Sequence, residues 1–340
     1  MSETPLSKPS RVNLSVPRAD ALDKAADVEG RSLWQDAFSR LRANRASMIS
    51  AIVLIVLAVV CFAGPYFVPW SYEEIDWDIL EAAPPNFETG HYLGTDSLGR
   101  DMLARILQGG QVSFLVGILA TSVALVIGVT VGATAGFMGG RVDQFLMRFV
   151  DVMYAVPLMF FIIILMVVFG RNFYLMFLAI GFVEWLTMSR IVRGQTLTLK
   201  NKEFVEAARA SGGSTASIII RHIVPNVLGV VVVYVTLTIP QVILLESFLS
   251  FLGLGVQPPM TSWGALIAEG AQEMEITPRT LILPAICLST TLFCFNFLGD
   301  GLRDALDPKD RYRLGLEFLK LTNSPSALVR PMEQLKPLTM

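Results

Sequence analysis

Six apolar stretches dominate this chain: residues 48–68, 112–137, 152–169, 173–188, 227–245 and 280–298. A membrane helix needs about 20 mostly apolar residues to cross about 30 Å of hydrocarbon. Each stretch reaches or approaches that length, so the expected fold is an all-α polytopic membrane protein with six spans. Composition agrees: of 340 residues, 53% are hydrophobic and only 16% charged, against about a quarter charged in soluble domains. That balance excludes a disordered or nucleic-acid-binding chain and argues against a soluble enzyme. Pro157, Pro240 and Pro284 fall inside apolar stretches. A proline kinks a membrane helix without forbidding it, because neighbouring groups re-satisfy the freed backbone. The first stretch starts about 47 residues in and outruns the apolar core of a cleaved leader, so it reads as a retained helix.

Basic residues orient a membrane chain, since they gather on the cytoplasmic side. With the N-terminus inside, the N-terminal segment holds eight Lys and Arg, the loop after the second stretch two, the loop after the fourth six and the tail seven. Only Arg100, Arg105, Arg171 and Arg279 fall outside. Both termini are therefore expected in the cytoplasm. The expected organisation is a cytoplasmic segment 1–46, a first span 47–68, an extracytoplasmic loop 69–110, a permease-like core 111–300 with an inner loop at 190–225, and a cytoplasmic tail 301–340. The first 27 residues or so are polar and poor in aromatics, the composition of a disordered segment.

Within the spans, Ala124, Gly128, Gly132 and Gly136 share one helix face. Small residues let helix backbones approach closely in lipid, so this face serves packing within the chain or contact between subunits. Glu184 lies in the fourth stretch beside Trp185. A carboxylate in mid-membrane faces protein or water, which makes Glu184 a lining group of a solute path; alternatively the span is shifted and Trp185 is an interfacial anchor. Glu246, at the end of the fifth stretch, is expected at the interface. Asp151 and Arg148 are one turn apart and expected to pair.

The inner loop carries the most local information. Asn201 is a candidate N-cap, and Glu203 falls in the first turn, where negative charge suits the helix dipole. A short helix over 202–211 then ends at Gly212-Gly213. Phe204, Ala207, Ala208 and Ser211 share a face, and Glu206 and Arg209 lie one turn apart. Ser214 caps a second short helix to about residue 222, before Pro225 and the fifth span. Such a helix pair suits either insertion into a groove on another protein or an ordinary surface hairpin.

Other chemistry is missing from the sequence. No G-x-x-x-x-G-K-[ST], H-E-x-x-H or G-x-S-x-G occurs, so the common phosphate-loop, zinc-protease and serine-hydrolase layouts are absent. His91 and His222 have no metal-ligand company, and Cys61, Cys287 and Cys294 sit in apolar runs without a C-x-x-C pair.

Glu206-Ala207-Ala208, then Gly212 and Pro225, stand at the offsets of the EAA motif of ABC importer permeases. The stretches 94–101 (Gly-Thr-Asp-Ser-Leu-Gly-Arg-Asp), 190–195, 248–255 and 299–308, with 29–36 at the front, resemble the C-type (OppC-like) permease subunits of bacterial oligopeptide ABC importers over about residues 28–311. His222 and Val224 depart from the usual residues near the end of the motif. Residues 312–340 lie outside the resemblance, and their deletion is expected to leave transport unchanged.

The resemblance implies a type I ABC importer permease in the bacterial cytoplasmic membrane, without catalytic residues or a cofactor of its own. ATP and Mg would be bound by two cytoplasmic ABC ATPase subunits. A sister permease would complete the path through the lipid, and an extracytoplasmic peptide-binding protein would deliver peptide. Glu203, Phe204, Glu206, Ala207, Ala208, Arg209, Ser211 and Gly212 would form the coupling helix that docks on an ATPase. Glu184, Glu246 and Trp263 would belong to the translocation path or outer gate, and Pro258, Pro259 and Trp263 to a docking surface. The alternatives are a permease for dipeptides, nickel chelates or another small solute, or an ion-coupled secondary transporter using Glu184.

Overall fold

A computed structural model of the chain describes residues 33–79 and 82–306. The polar N-terminal segment and the tail stretch 312–340 lie outside the described residues. Helix α1 (Leu33–Ala43) meets α2 (Arg45–Ala63) at Asn44, whose side chain accepts the Ser47 N–H at 3.3 Å and caps α2. A 3-10 turn, Gly64–Tyr66, closes α2, and an irregular loop follows. Asp101 then caps α3 (Met102–Met138) by accepting the Ala104 N–H at 2.7 Å. This cap starts α3 well before the apolar stretch at 112.

The third expected span is broken rather than kinked. Helices α4 (Gly140–Ala155) and α5 (Leu158–Phe169) meet at 79°. Proline disfavours helical backbone in the residue before it, and Val156 is extended, with φ −80° and ψ 131°. At 12 residues, α5 is about 18 Å long and cannot cross the hydrocarbon alone. Among the described residues, five other helices are long and apolar enough to span, and the broken pair makes a sixth if it counts as one.

Helix α6 (Phe173–Leu199) is followed by α7 (Glu203–Ala210) and α8 (Thr215–Ile218). Helix α8 runs through a π-helical turn, Ile219–Ile223, into α9 (Val224–Phe251). The expected second inner helix is therefore the first turns of the fifth span, not a separate hairpin arm. Pro225 directly follows the π turn, inside the continuous helical run Thr215–Phe251. Helices α10 (Trp263–Gln272) and α11 (Pro278–Leu306) complete the described fold. Pro240 and Pro284 are carried inside continuous helices.

The small-residue stripe is a seam within the chain. It packs α3 along α6: a Cβ on Gly128 would come 2.6 Å from the Met188 side chain, and one on Gly136 would come 2.9 Å from the Arg193 carbonyl oxygen. From the other side, a Cβ on Gly181 would come 2.7 Å from the Ala120 carbonyl oxygen. A second core, with Leu54, Phe114, Ile243, Trp263 and Leu288, ties α2, α3, α9, α10 and α11 together. Two ion pairs fasten the broken helix to α6: Arg193 donates to Asp143 at 2.5 and 2.6 Å, and Arg190 to Asp151 at 2.7 Å. Asp151 thus bonds across to α6 instead of to Arg148 on its own helix.

Candidate docking helix and membrane-embedded site

Helix α7 is built by its ends and one anchor. At its start, Lys202 takes extended backbone and its side chain makes no capping bond, so Asn201 is not the cap. At its close, the Gly212 N–H bonds the Arg209 carbonyl and the Gly213 N–H bonds the Ala208 carbonyl, both at 3.0 Å. That pairing is a Schellman motif, and it needs the positive φ of 78° that Gly212 adopts. Val205 is completely buried among Ala133, Phe137, Val192, Ile218 and Ile223, which come from α3, α6, α8 and the π turn. Ala208 packs against the same cluster.

The exposed side of α7 carries Glu203, Phe204, Glu206, Ala207 and Ser211, with Gly212 beyond it. The face expected from spacing is therefore split, because Ala208 turns inward while Phe204, Ala207 and Ser211 stay outside. Arg209 does not close on Glu206. Its guanidinium lies 4.9 Å from the centre of the Phe137 ring, clasping α7 to the end of α3. The Ser211 hydroxyl donates to the Ala207 carbonyl at 2.9 Å, and the Ser217 N–H bonds Ser214 at 3.3 Å as expected of a cap. A short helix with one side sunk into three long helices can pass a push on its free side into all three.

The membrane-embedded candidates separate from one another. Glu184 sits in mid-helix, with eleven residues of α6 before it and fifteen after, and is partly exposed. Its neighbour Trp185 is buried, stacked with Phe149, so it is no interfacial anchor. Glu246, expected at the interface, is fully buried within the protein. Ser250 donates to it at 2.7 Å and Ser113, from α3, at 3.4 Å. Trp263 is also fully buried: its indole N–H bonds the Ile106 carbonyl at 3.0 Å, and its ring meets Phe114 edge-on. Trp263 therefore anchors α10 and offers no docking surface, whereas Pro258 and Pro259 are exposed.

A charged junction that the sequence reading passed over joins the first loop to α10. Asp96 accepts the backbone N–H groups of Leu98 and Arg100, both at 2.9 Å, and the Arg100 side chain at 2.8 Å. Arg105 reaches both Asp96 and Glu269 of α10. Beside it, His91 bridges Asp101 at 3.0 Å and Asp76 at 3.3 Å. The available signal was Asp96 within the quoted 94–101 motif, with an arginine on the first turn of the next helix; the partner Glu269 is 164 residues away.

A bundle of long apolar helices with a short polar helix presented at one end defines a multi-pass membrane protein. The sequence matches the family described as "Binding-protein-dependent transport system inner membrane component" over residues 128–312, and "N-terminal TM domain of oligopeptide transport permease C" over residues 32–85. The chain is 52% identical to the oligopeptide transport system permease protein OppC of Haemophilus influenzae, covering 86% of this chain and 96% of that one. It is 56% identical to OppC of Escherichia coli K12, covering 84% and 94%. The dipeptide transport system permease protein DppC of Bacillus subtilis is 41% identical, covering 82% and 87%. This chain belongs to the binding-protein-dependent transport system inner membrane component family, and it is a multi-pass inner-membrane permease.

Proposed function

We propose that this chain is one permease subunit of an ATP-driven importer that carries oligopeptides inward. The permeases at 52 and 56% identity over most of the chain are both named for oligopeptide transport, which supports this reading. The observation that carries the coupling role is α7, with Val205 locked in the core and Glu206 and Ala207 free on the other side. In this reading the free side seats in a groove on one of two cytoplasmic ABC ATPases, and both chain termini lie on that side of the membrane. ATP binding draws the ATPases together and moves α7. Because Val205 and Arg209 fasten it to α3, α6 and α9, these helices follow as near-rigid bodies and open the path outward. A sister permease supplies the other half of the wall, and an extracytoplasmic binding protein delivers peptide at the loop end. Hydrolysis reverses the movement. Glu184, partly exposed in mid-span, is the group this chain offers to the path.

The test is ATP-driven peptide uptake in vesicles containing the assembled complex. Glu206→Lys is expected to abolish uptake while the complex stays membrane-inserted. Uptake at the wild-type rate would refute the docking role. Crosslinks from position 206 that never reach an ATP-hydrolysing subunit would refute it as well.

A further inference from the structure

Where α2 gives way to the Gly64–Tyr66 turn, a cavity of about 520 Å³ opens between that turn, the following loop and the first turns of α3. Its wall is aromatic, with Phe62, Tyr66, Trp70 and Tyr72. Trp70 is held in place: its indole N–H bonds the Thr89 carbonyl at 2.9 Å, and its ring stacks on His91 with centroids 4.6 Å apart. Gln108 also lines the cavity, and its amide has no hydrogen-bond partner among the described residues. Glu74 is the single charged side chain of the lining, and the Ser71 N–H bonds its carboxylate at 3.3 Å.

One exposed stripe of α2 leads into this cavity. Ile52, Ile55, Val59 and Phe62 recur at spacings of three and four and are between 43% and 62% exposed. Tyr66 continues the stripe at 87% exposure and forms part of the cavity mouth. Because α2 is one of the long membrane-crossing helices, this stripe is an apolar track ending at the bilayer boundary, where aromatic side chains collect. A molecule matching all these surfaces has an apolar tail for the track and a polar head for the cavity. Aromatic faces attract cations, and the lone carboxylate asks for a group that is both positive and an N–H donor.

We infer that this cavity seats the headgroup of an ethanolamine phospholipid. The ammonium lies between Glu74 and the aromatic wall, the phosphate takes the free Gln108 amide, and an acyl chain follows the α2 stripe. A headgroup with net negative charge meets Glu74 unfavourably. The N-terminal ammonium of a soluble peptide shares the head chemistry but leaves the apolar track unused. The inference rests on membrane insertion alone and is independent of the solute transported.

The full-length chain, purified in detergent, is titrated with dioleoyl phosphatidylethanolamine and with dioleoyl phosphatidylglycerol, and retained lipid is counted by native mass spectrometry. Ethanolamine lipid is expected to be held more tightly. Glu74→Gln, an exposed change, is expected to weaken its retention about fivefold and to leave retention of the glycerol lipid unweakened or raised, as the like charge is removed. Gln108→Ala is expected to weaken retention of the ethanolamine lipid without changing the melting temperature. Equal retention of the two lipids overturns the inference, as does undiminished ethanolamine-lipid binding in Glu74→Gln. Displacement of the lipid by a free-amine tripeptide, but not by its N-acetylated form, assigns the cavity to peptide and overturns it too.

Discussion

Arg105 and Asp96 form a buried ion pair, with Nη1 of the arginine 2.5 Å from Oδ2 of the aspartate and the two side chains 2% and 6% exposed. The pair locks the 94–101 loop onto α3, and Glu269 of α10 completes it from a side chain that is 43% exposed. The two carboxylates should therefore be unequal in energy. Asp96→Asn removes the buried carboxylate that holds both Arg100 and Arg105 and should cost about 3 kcal/mol. Glu269→Gln removes a partner that water can replace and should cost about 1 kcal/mol or less. Thermal unfolding in detergent separates the two, and equal losses would contradict the ranking of burial.

The seam between α3 and α6 predicts a second contrast. Gly128 and Gly136 have no room for a Cβ, whereas Gly194 and Gly229 have nothing within 4 Å of where one would stand. Gly128→Val should cost about 1–3 kcal/mol through overpacking against Met188. Gly194→Ala and Gly229→Ala should be neutral, or stabilising by up to about 1 kcal/mol from helix propensity. Unfolding midpoints of the three variants, measured side by side, check this; a destabilised Gly194→Ala would show that the α6 surface is covered in the assembled state.

The spans were legible because each is a local property of about twenty residues, and the stop of α7 because Gly212-Gly213 and Ser214 act on their own neighbours. What escaped was set by distant partners. Spacing put Phe204, Ala207 and Ala208 on one face, but it is Phe137, Val192 and Ile223 that decide that Val205 and Ala208 point inward. Glu246 looked interfacial from its place at the end of an apolar run. Its burial depends on Ser113, 133 residues earlier, and on the α10 segment folding back over it. Pro157 looked like Pro240 and Pro284 in sequence. It breaks its helix where they do not, since α4 is pinned to α6 by Arg190 and Arg193 and α5 departs at 79°.

The two sides of α7 should fail differently. Val205→Ala empties part of a closed core and should lower stability by about 1–3 kcal/mol, loosening the lever itself. Ala207→Arg changes an exposed position and should leave the melting temperature within about 1 °C while uptake driven by ATP falls sharply. Melting and uptake measured on the same preparations give the test. Parallel losses in both variants would mean that the exposed side has no separate docking role.

Glu246 gives the last contrast. Its carboxylate draws a donor from each of two helices, Ser113 of α3 and Ser250 of α9, and the Ser113 oxygen in turn accepts the Trp263 backbone N–H at 3.3 Å. The acid is thus the point where α3, α9 and the start of α10 are referenced to one another. Glu246→Leu removes the acceptor and leaves two buried hydroxyls searching for partners, at about 1–3 kcal/mol each. Glu246→Gln keeps one acceptor oxygen, and its amide N–H groups can donate to lone pairs that serine hydroxyls have to spare. The glutamine variant should therefore lose about 1 kcal/mol or less, with the leucine variant well below it in thermal unfolding. If both are equally stable, the serine hydroxyls find other acceptors, and Glu246 does not tie the three helices together.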